Sequence, residues 1–479
     1  MLKRFFSDVA IYSFSNLISK GLNLLLLPLY TRLLSPSDYG LFDILAMFGA
    51  LVGLTLPLEI SQGLARYYPE AQNPDDKRSY AVTSLWFTMM VYLLFALICL
   101  FAAPALSQLL LGDPKWQEVF RVAVLSISLN GLFYLFQSQL KWELRARDCA
   151  LLSQLYALTS LAMTMLWVVG FKAGLNGLFY GQLTALLLVC PVGLLMLKSS
   201  YRGRFSWKHC QDMLTYSLPL VPSGMAVFVA LYVDRIAIRD LLSYHEVGLY
   251  GIGMRFGSVV SLLITGLQTS LSPLIFQFHQ DPETPRKIEL LLRLFVCGTL
   301  LCSSGLALFA PEILRVFTTP MYYAAAPIIP LMALATLLGN TYLFAPGLAL
   351  AKRTRRIALI TLLYAVFNTL LNYCLIPWLG FSGAALATCL SGAIMTLFYF
   401  RESTPHYPIP YRWKAMALAC GLHLLSAAGL LGLHVLAWPP GPATLLKGLL
   451  WLSLAAGTVF LLTSPQERRL GWFKARQMS

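Results

Sequence analysis

The sequence predicts an all-α polytopic membrane protein with about 14 transmembrane helices, from its composition, its apolar runs and the placement of its charges. Of the 479 residues, 58% are hydrophobic and 12% are charged, and the mean hydropathy is +0.68. A typical soluble domain carries about 25% charged residues. Apolar runs of about 20 residues recur along the chain, and a helix of that length crosses the ~30 Å hydrocarbon core of a bilayer. Most of the chain is therefore predicted to lie within a membrane.

Polar breaks between the apolar windows place the individual spans. The first apolar segment runs past Leu34 without a small-residue cleavage site, so we expect an uncleaved span rather than a removable signal peptide. Each later window is long enough for one membrane-crossing helix. The predicted spans are 9–33, 40–61, 81–104, 118–139, 149–170, 177–197, 213–238, 246–274, 288–310, 325–349, 357–377, 381–400, 415–436 and 443–463.

Most of the 36 Lys and Arg lie in alternate connections between these spans. Lys and Arg resist translocation, so the basic connections and both termini are expected on the cytoplasmic side. This pattern explains the net charge of +15 without a nucleic-acid partner. No connection exceeds about 20 residues, far below the size of a domain, so a transporter is expected rather than an enzyme with a soluble catalytic centre. The basic segments include 77–78, 141–147, 198–208, 286–287, 352–356, 401–414 and 468–476.

Metal, redox and cofactor chemistry is not predicted. The nine cysteines lie mostly inside apolar runs and show no Cys-x-x-Cys spacing, which is typical of small packing residues. Asp43, Glu59 and Asp234 are the acids nearest to membrane depth, and a carboxylate there could bind a coupling proton or sodium ion. None is central enough for the coupling ion to be assigned.

An internal repeat organises the bundle. Two copies of six helices, being even in number, enter the membrane in the same orientation, as in transporters built from parallel repeats. We therefore expect an N-lobe over 1–205, a C-lobe over 206–404, and an appended helix pair with a cytoplasmic tail over 405–479. The matching stretches, at shifts of 206 to 208 residues, are Gly40–Phe42 with Gly248–Tyr250, Tyr134–Phe136 with Tyr342–Phe344, 150–157 with 358–365, and 174–177 with 380–383.

Three stretches resemble a known family. They are PLYTRLLSPSDYGLFDIL (28–45), GLARYYPEA (63–71), and ALYVDRIAIRDLL (230–242) followed by HEVGLYGIGMR (245–255). Each is similar to a motif of the oligosaccharide (O-antigen type) flippases, in the multidrug/oligosaccharidyl-lipid/polysaccharide (MOP) exporter superfamily. The likeness covers residues 1 to about 400 and agrees with the two-times-six repeat.

This resemblance implies two six-helix lobes splayed around a central cavity that opens alternately to each side. Its cargo would be a polyprenyl-diphosphate-linked oligosaccharide, moved from the cytoplasmic to the periplasmic leaflet of a bacterial inner membrane for cell-surface polysaccharide biosynthesis. Membrane lipids and polysaccharide polymerase machinery would be its partners. The family's commonest helix count is 12, whereas about 14 are predicted here, as in the related lipid II flippases.

Basic side chains at membrane depth are the candidates for the substrate pathway, because they would offset the lost hydration of a diphosphate. Lys20 is predicted ~18 Å from the cytoplasmic edge of the membrane and Arg255 ~13 Å from the outer edge, both too deep for their stems to reach water. A buried structural ion pair is the alternative. Arg293 could instead reach the cytoplasmic headgroups, and Arg66 lies at the cytoplasmic rim, as a first contact for a diphosphate or as an interfacial arginine.

Asp234 and Arg235 are adjacent in the seventh predicted span, toward the periplasm. Neighbours on a helix point ~100° apart, so each needs a partner on another element. We expect them to form an outer gate or a contact between the lobes, with a static interfacial anchor as the alternative.

Three other functions remain open. A multidrug exporter of the same superfamily would carry organic cations and should have an acidic cavity, contrary to Lys20 and Arg255. A membrane glycan polymerase or ligase would need a sizeable outer loop for its catalytic residues, and the outer connections are short. A lipid II flippase is compatible with the predicted helix count.

Overall fold

A computed structural model confirms the prediction of an all-α polytopic protein. Every regular element in the part of the chain that it describes is helical. Contacts divide the chain into two compact units, Met1–Gly251 and Ile252–Ser479. The described residues are 27–261, 280–351, 353–434 and 440–463, together with the isolated positions 264, 271, 275 and 278.

The first unit contains ten complete described helices and most of an eleventh, which continues past the boundary. They are α1 Leu27–Leu33, α2 Pro36–Thr55, α3 Ile60–Tyr67, α4 Pro74–Phe101, α5 Ala103–Leu111, α6 Gln117–Trp142, α7 Ala146–Met165, α8 Gly174–Met196, α9 Trp207–Ser217, α10 Val221–Leu241 and α11 Tyr244–Gly257.

The second unit holds the end of α11 and the helices that follow it. In its described part these are α12 Thr284–Phe317, α13 Ile328–Asn340, α14 Gly347–Leu350, α15 Thr354–Leu379, α16 Phe381–Ser403, α17 Trp413–His434 and α18 Pro440–Leu462.

Helices cover most of each predicted span in the described part of the chain, although 40–61, 213–238 and 325–349 are each divided between two helices. Nine helical segments there are long and apolar enough to cross a membrane, and two shorter apolar helices lie at 328–344 and 446–462. The predicted first span, 9–33, falls mostly outside the described residues, as does the second half of 246–274. The multi-pass prediction is confirmed, and the count of 14 stays a prediction.

The predicted repeat is visible in how two helices begin. At α2, Ser35 Oγ accepts from the backbone N–H of Asp38 at 3.2 Å, and the Asp38 carboxylate accepts from the backbone N–H of Ser35 at 3.1 Å. This reciprocal capping box satisfies two N–H groups that have no partner within the helix. Just before α11, Ser243 Oγ donates to the Glu246 carboxylate. Ser243 and Glu246 follow Ser35 and Asp38 by 208 residues, the repeat shift.

Helices α2 and α11 cross at one glycine from each. A Cβ on Gly40 would lie 1.8 Å from the carbonyl oxygen of Tyr244, and a Cβ on Gly248 would lie 1.9 Å from that of Pro36. Gly40 and Gly248 are equivalent in the repeat, and so are Pro36 and Tyr244. Only glycine permits such close backbone approach, so the matched Gly-Leu-aromatic motifs meet at a nearly symmetric crossing.

The contact boundary after Gly251 lies beyond the predicted lobe boundary at 205/206. The reason is that α9 packs on α3, and α10 packs on α2, inside the first unit. At the first of these contacts a Cβ on Gly63 would lie 2.6 Å from the Met213 carbonyl oxygen. The lobe boundaries predicted from the sequence repeat therefore stay a prediction.

The appended helices α17 and α18 pack on α12 in the second unit. Lys447 Nζ lies 2.7 Å from Glu312 Oε1, and Trp451 Nε1 donates to the Leu301 carbonyl oxygen at 3.0 Å. A buried charge is costly unless it is paired, so the Lys447–Glu312 pair helps to fix α18 against α12.

Candidate functional site

The predicted pathway residues occupy different environments. Lys20 lies outside the described residues. Arg66, near the end of α3, has a half-exposed side chain that forms an ion pair with Glu70 one turn later. Arg255 is half-buried near the end of α11, in the second unit. Arg66 lies in the first unit and Arg255 and Arg293 in the second, and the shared role of the four predicted residues stays a prediction.

Arg293 is buried in the second unit, with 3% of its surface exposed. Its Nε lies 2.7 Å from Glu289 Oε1, an ionic contact without hydrogen-bond alignment, and its Nη1 donates to the Leu462 carbonyl oxygen at 2.5 Å. Leu462 is the last residue of α18, whose free carbonyl groups need donors. Arg293 thus ties the appended pair to α12, which accounts for its burial without a cargo contact.

Asp234 and Arg235 form a buried polar cluster with residues of two other helices. Arg235 Nε lies 2.5 Å from Asp43 Oδ2 on α2, and Tyr250 Oη on α11 donates to Asp234 Oδ2 at 2.6 Å. Asp43, Asp234 and Arg235 are each no more than 7% exposed. The Arg235 guanidinium also lies 5.2 Å from the ring centre of Tyr232, close enough for a cation–π contact.

Asp234 and Arg235 were expected to need partners on other elements, and in this cluster each has one. The sequence indicates Asp43 only as an acid for a coupling ion. It gives no signal of the contact with Arg235, which depends on the packing of α2 against α10. The cluster joins α2, α10 and α11 beside the Gly40–Gly248 crossing.

A cavity of about 560 Å³ lies inside the first unit, among α2, α3, α4, α6, α7 and α8. Small, apolar and aromatic residues form much of its wall. Polar side chains are spread around it rather than grouped on one helix. They include Glu59, Asn130, Gln182, Tyr92, Tyr134 and Tyr156.

Glu59 reaches this cavity because the predicted helix over 40–61 is broken, which corrects the continuous span expected from the sequence. Helix α2 ends at Thr55 and α3 begins at Ile60. Leu58 and Glu59 between them have φ of 50° and 54°, in the left-handed region. Each such non-glycine residue costs about 1–3 kcal/mol unless its surroundings enforce it.

Part of that enforcement comes from α9. Ser217 Oγ donates to the carbonyl oxygen of Leu58 at 2.7 Å, which satisfies a backbone acceptor that the broken helix leaves free. Pro57 in the predicted span was the sequence signal for the break, because proline lacks the N–H that an uninterrupted helix uses.

A second polar network lies where α6 ends, around Glu143. Its carboxylate accepts from Ser200 Oγ at 2.5 Å and from Tyr68 Oη at 3.4 Å, and it lies 3.1 Å from Arg145 Nη1. Burial, with the nearby Glu143 charge, raises the pKa of Tyr68 to about 12, so its phenol stays protonated near neutrality. These contacts fix the connection between α6 and α7.

Comparison with known proteins assigns the chain to a family. Residues 29–327 match the family described as polysaccharide biosynthesis protein. The chain belongs to that family. It is 22% identical to the probable low-salt glycan biosynthesis flippase Agl15 of Haloferax volcanii over 471 residues, which cover 94% of each chain. It is 27% identical to the succinoglycan biosynthesis transport protein ExoT of Rhizobium meliloti, over 66% of this chain and 63% of that one.

The chain shares its fold with two solved transporter structures. The lipid II flippase MurJ, in an inward closed conformation, aligns with a TM-score of 0.72 at 15% identity, over 94% of this chain and 99% of that one. An inward-facing multidrug resistance MATE family transporter of the MOP superfamily aligns with a TM-score of 0.65 at 15% identity, over 83% of this chain and 97% of that one. The resemblance to MOP-superfamily flippases predicted from the sequence is confirmed, and the chain is a membrane transporter rather than an enzyme.

Proposed function

We propose that this polysaccharide biosynthesis protein flips a polyprenyl-diphosphate-linked oligosaccharide across the cytoplasmic membrane. The observation that carries the proposal is the match over 94% of both chains to a relative named as a glycan biosynthesis flippase. The transporter fold supports it, as do shorter matches to proteins named for succinoglycan transport and for export of the EPS I polysaccharide.

The diphosphate sets the main physical problem, because two or more negative charges must pass through a medium of low dielectric constant. Lys20 and Arg255 would offset part of the lost hydration from within the bundle, and Arg66 would meet the headgroup at the cytoplasmic rim. Arg293 is the weakest candidate because its charge faces Glu289. A proton or sodium gradient would supply the driving force.

With both termini on the cytoplasmic side, the Asp43–Arg235 pair lies toward the periplasm. We propose that the pair and the Gly40–Gly248 crossing close the outer side of the transporter and part when it opens outward. Polysaccharide polymerase machinery would then receive the glycan, and O-antigen is one such polysaccharide. A lipid II flippase is the second candidate, favoured by the fold shared with MurJ.

Removing either deep cation is expected to abolish function without removing the protein from the membrane. Lys20→Ala and Arg255→Ala should each eliminate surface polysaccharide in cells that depend on this chain, because the diphosphate loses a charge partner where water is scarce. Surface glycan is measured by gel staining and the amount of membrane protein by immunoblot.

The matched control is Arg286→Ala. The Arg286 side chain is 77% exposed, so its charge is solvated by water and its removal should have little effect. Normal surface glycan in both deep variants, at normal protein levels, would contradict the proposed role of these cations.

A further inference from the structure

The size of the cavity in the first unit indicates what it can hold. A volume of about 560 Å³ lies within the 300–1,000 Å³ typical of sites for small organic ligands. A water molecule occupies about 30 Å³, so a single ion with its water would leave most of this space empty. The cavity therefore suits an organic group.

The charge of the wall excludes the diphosphate from this space. Among the described residues that line the cavity, Glu59 is the one carboxylate, and none is Lys or Arg. At low dielectric constant a carboxylate repels an anion strongly. An anionic group is therefore disfavoured in this cavity, and the diphosphate must be bound elsewhere.

Three polar side chains in the wall are available to a ligand. Glu59, Asn130 and Gln182 come from three separate elements, and none has a side-chain hydrogen bond or ion pair within the described part of the chain. Glu59 and Gln182 are half-buried and Asn130 is exposed, so their polar atoms stay accessible to a ligand. A carboxylate and two carboxamides supply the strong acceptors and the donors that a ligand rich in hydroxyl groups requires.

Aromatic rings complete the wall. Tyr92, Tyr134 and Tyr156 line the same space, and the side chain of Tyr134 is half exposed. Tyrosine offers an apolar face together with a polar hydroxyl group. A sugar ring has the complementary surface, with C–H groups on its face and hydroxyl groups at its edge.

We infer that this cavity is a binding site for uncharged sugar units of the cargo, in which Glu59 accepts hydrogen bonds from sugar hydroxyl groups. The inference rests on the proposed function and extends it, because it assigns the glycan to this cavity and leaves the diphosphate to the cationic residues. The left-handed backbone at Leu58 and Glu59 interrupts the helix beside this cavity.

The test is equilibrium binding to the full-length protein in lipid nanodiscs, with two probes. One is the lipid-linked oligosaccharide extracted from the cells that naturally contain this protein, and the other is polyprenyl diphosphate without sugar. Glu59→Gln should weaken binding of the first about 10-fold, as expected when a hydrogen bond loses its charged acceptor. Binding of the second should not change.

Gln182→Leu, at a cavity residue on α8, should show the same selectivity and provides a second variant if Glu59→Gln folds poorly. The control is Glu283→Gln, at an exposed carboxylate outside the cavity, which should bind both probes as the unmodified protein does.

Equal weakening for both probes would assign Glu59 and Gln182 a structural role and overturn the sugar site. Unchanged binding by Glu59→Gln together with loss of gradient-driven transport would assign Glu59 to ion coupling and also overturn it. In both cases the unmodified protein would still move the glycan lipid, so the proposed function would stand. Failure of the unmodified protein to move that lipid would overturn both proposals.

Discussion

Gly40→Ala is expected to destabilise the protein, although alanine normally stabilises a helix. The added Cβ would lie 1.8 Å from the Tyr244 carbonyl oxygen, and a backbone atom cannot move aside as a side chain can. Overpacking typically costs about 1–3 kcal/mol and occasionally more, and we expect the upper end because α2 and α11 would have to separate. Gly248→Ala should have a similar effect, since its Cβ would meet the Pro36 carbonyl oxygen.

The measurement is the midpoint of thermal aggregation of detergent-purified protein, followed by size-exclusion chromatography. Gly53→Ala provides the matched control on α2, because a Cβ there meets nothing within 4 Å. This control should be neutral or stabilising by up to about 1 kcal/mol, the difference in helix propensity between alanine and glycine. Equal midpoints for Gly40→Ala and Gly53→Ala would show that the crossing is not tightly packed.

Arg235→Leu is expected to cost about 3–5 kcal/mol of stability, the usual effect of leaving a buried charge without its partner. Asp43 would remain as a carboxylate only 7% exposed, on a helix that no longer has the opposing guanidinium. Adding Asp43→Asn should recover part of the loss, because the second substitution removes the uncompensated charge. Thermal midpoints of the two single variants and the double variant measure this coupling.

Arg239→Leu is the control, one turn further along α10. Its side chain is 22% exposed and pairs with the neighbouring Asp240, and such pairs near the surface contribute about 0–1 kcal/mol. If Arg235→Leu were no more destabilised than Arg239→Leu, the buried pair would not hold α2 and α10 together. A stable double variant that no longer transports would support the proposed gate.

Hydropathy predicted the positions of the helices because burial in lipid imposes the same length on every span. The break before Glu59 was not predicted, since Leu58 and Glu59 rarely adopt left-handed backbone and only Pro57 signalled it. The contact between Asp43 and Arg235 was also missed, because it depends on folding of residues 192 positions apart. The repeated glycines at positions 40 and 248 were recognised as a motif, but their contact became visible only in three dimensions.

The polar side chains that line the cavity could not be predicted from the sequence either. Neither Asn130 nor Gln182 gives a signal of a binding site in the sequence. Neither residue has a distinctive neighbourhood in the chain, since single amides in apolar helices most often form interhelical hydrogen bonds. Their convergence on one space with Glu59 follows from the packing of α3, α6 and α8.

Transbilayer movement of a lipid-linked glycan in proteoliposomes tests the central claim most directly. The purified protein is reconstituted with lipid-linked oligosaccharide from its natural cells, and the glycan exposed on the outer surface is measured over time, with pH and sodium gradients imposed separately. If the protein flips this lipid, movement should be well above that in protein-free vesicles, driven by one of the two gradients and lost in Arg255→Ala. Movement no faster than in protein-free vesicles under either gradient would contradict the proposed function.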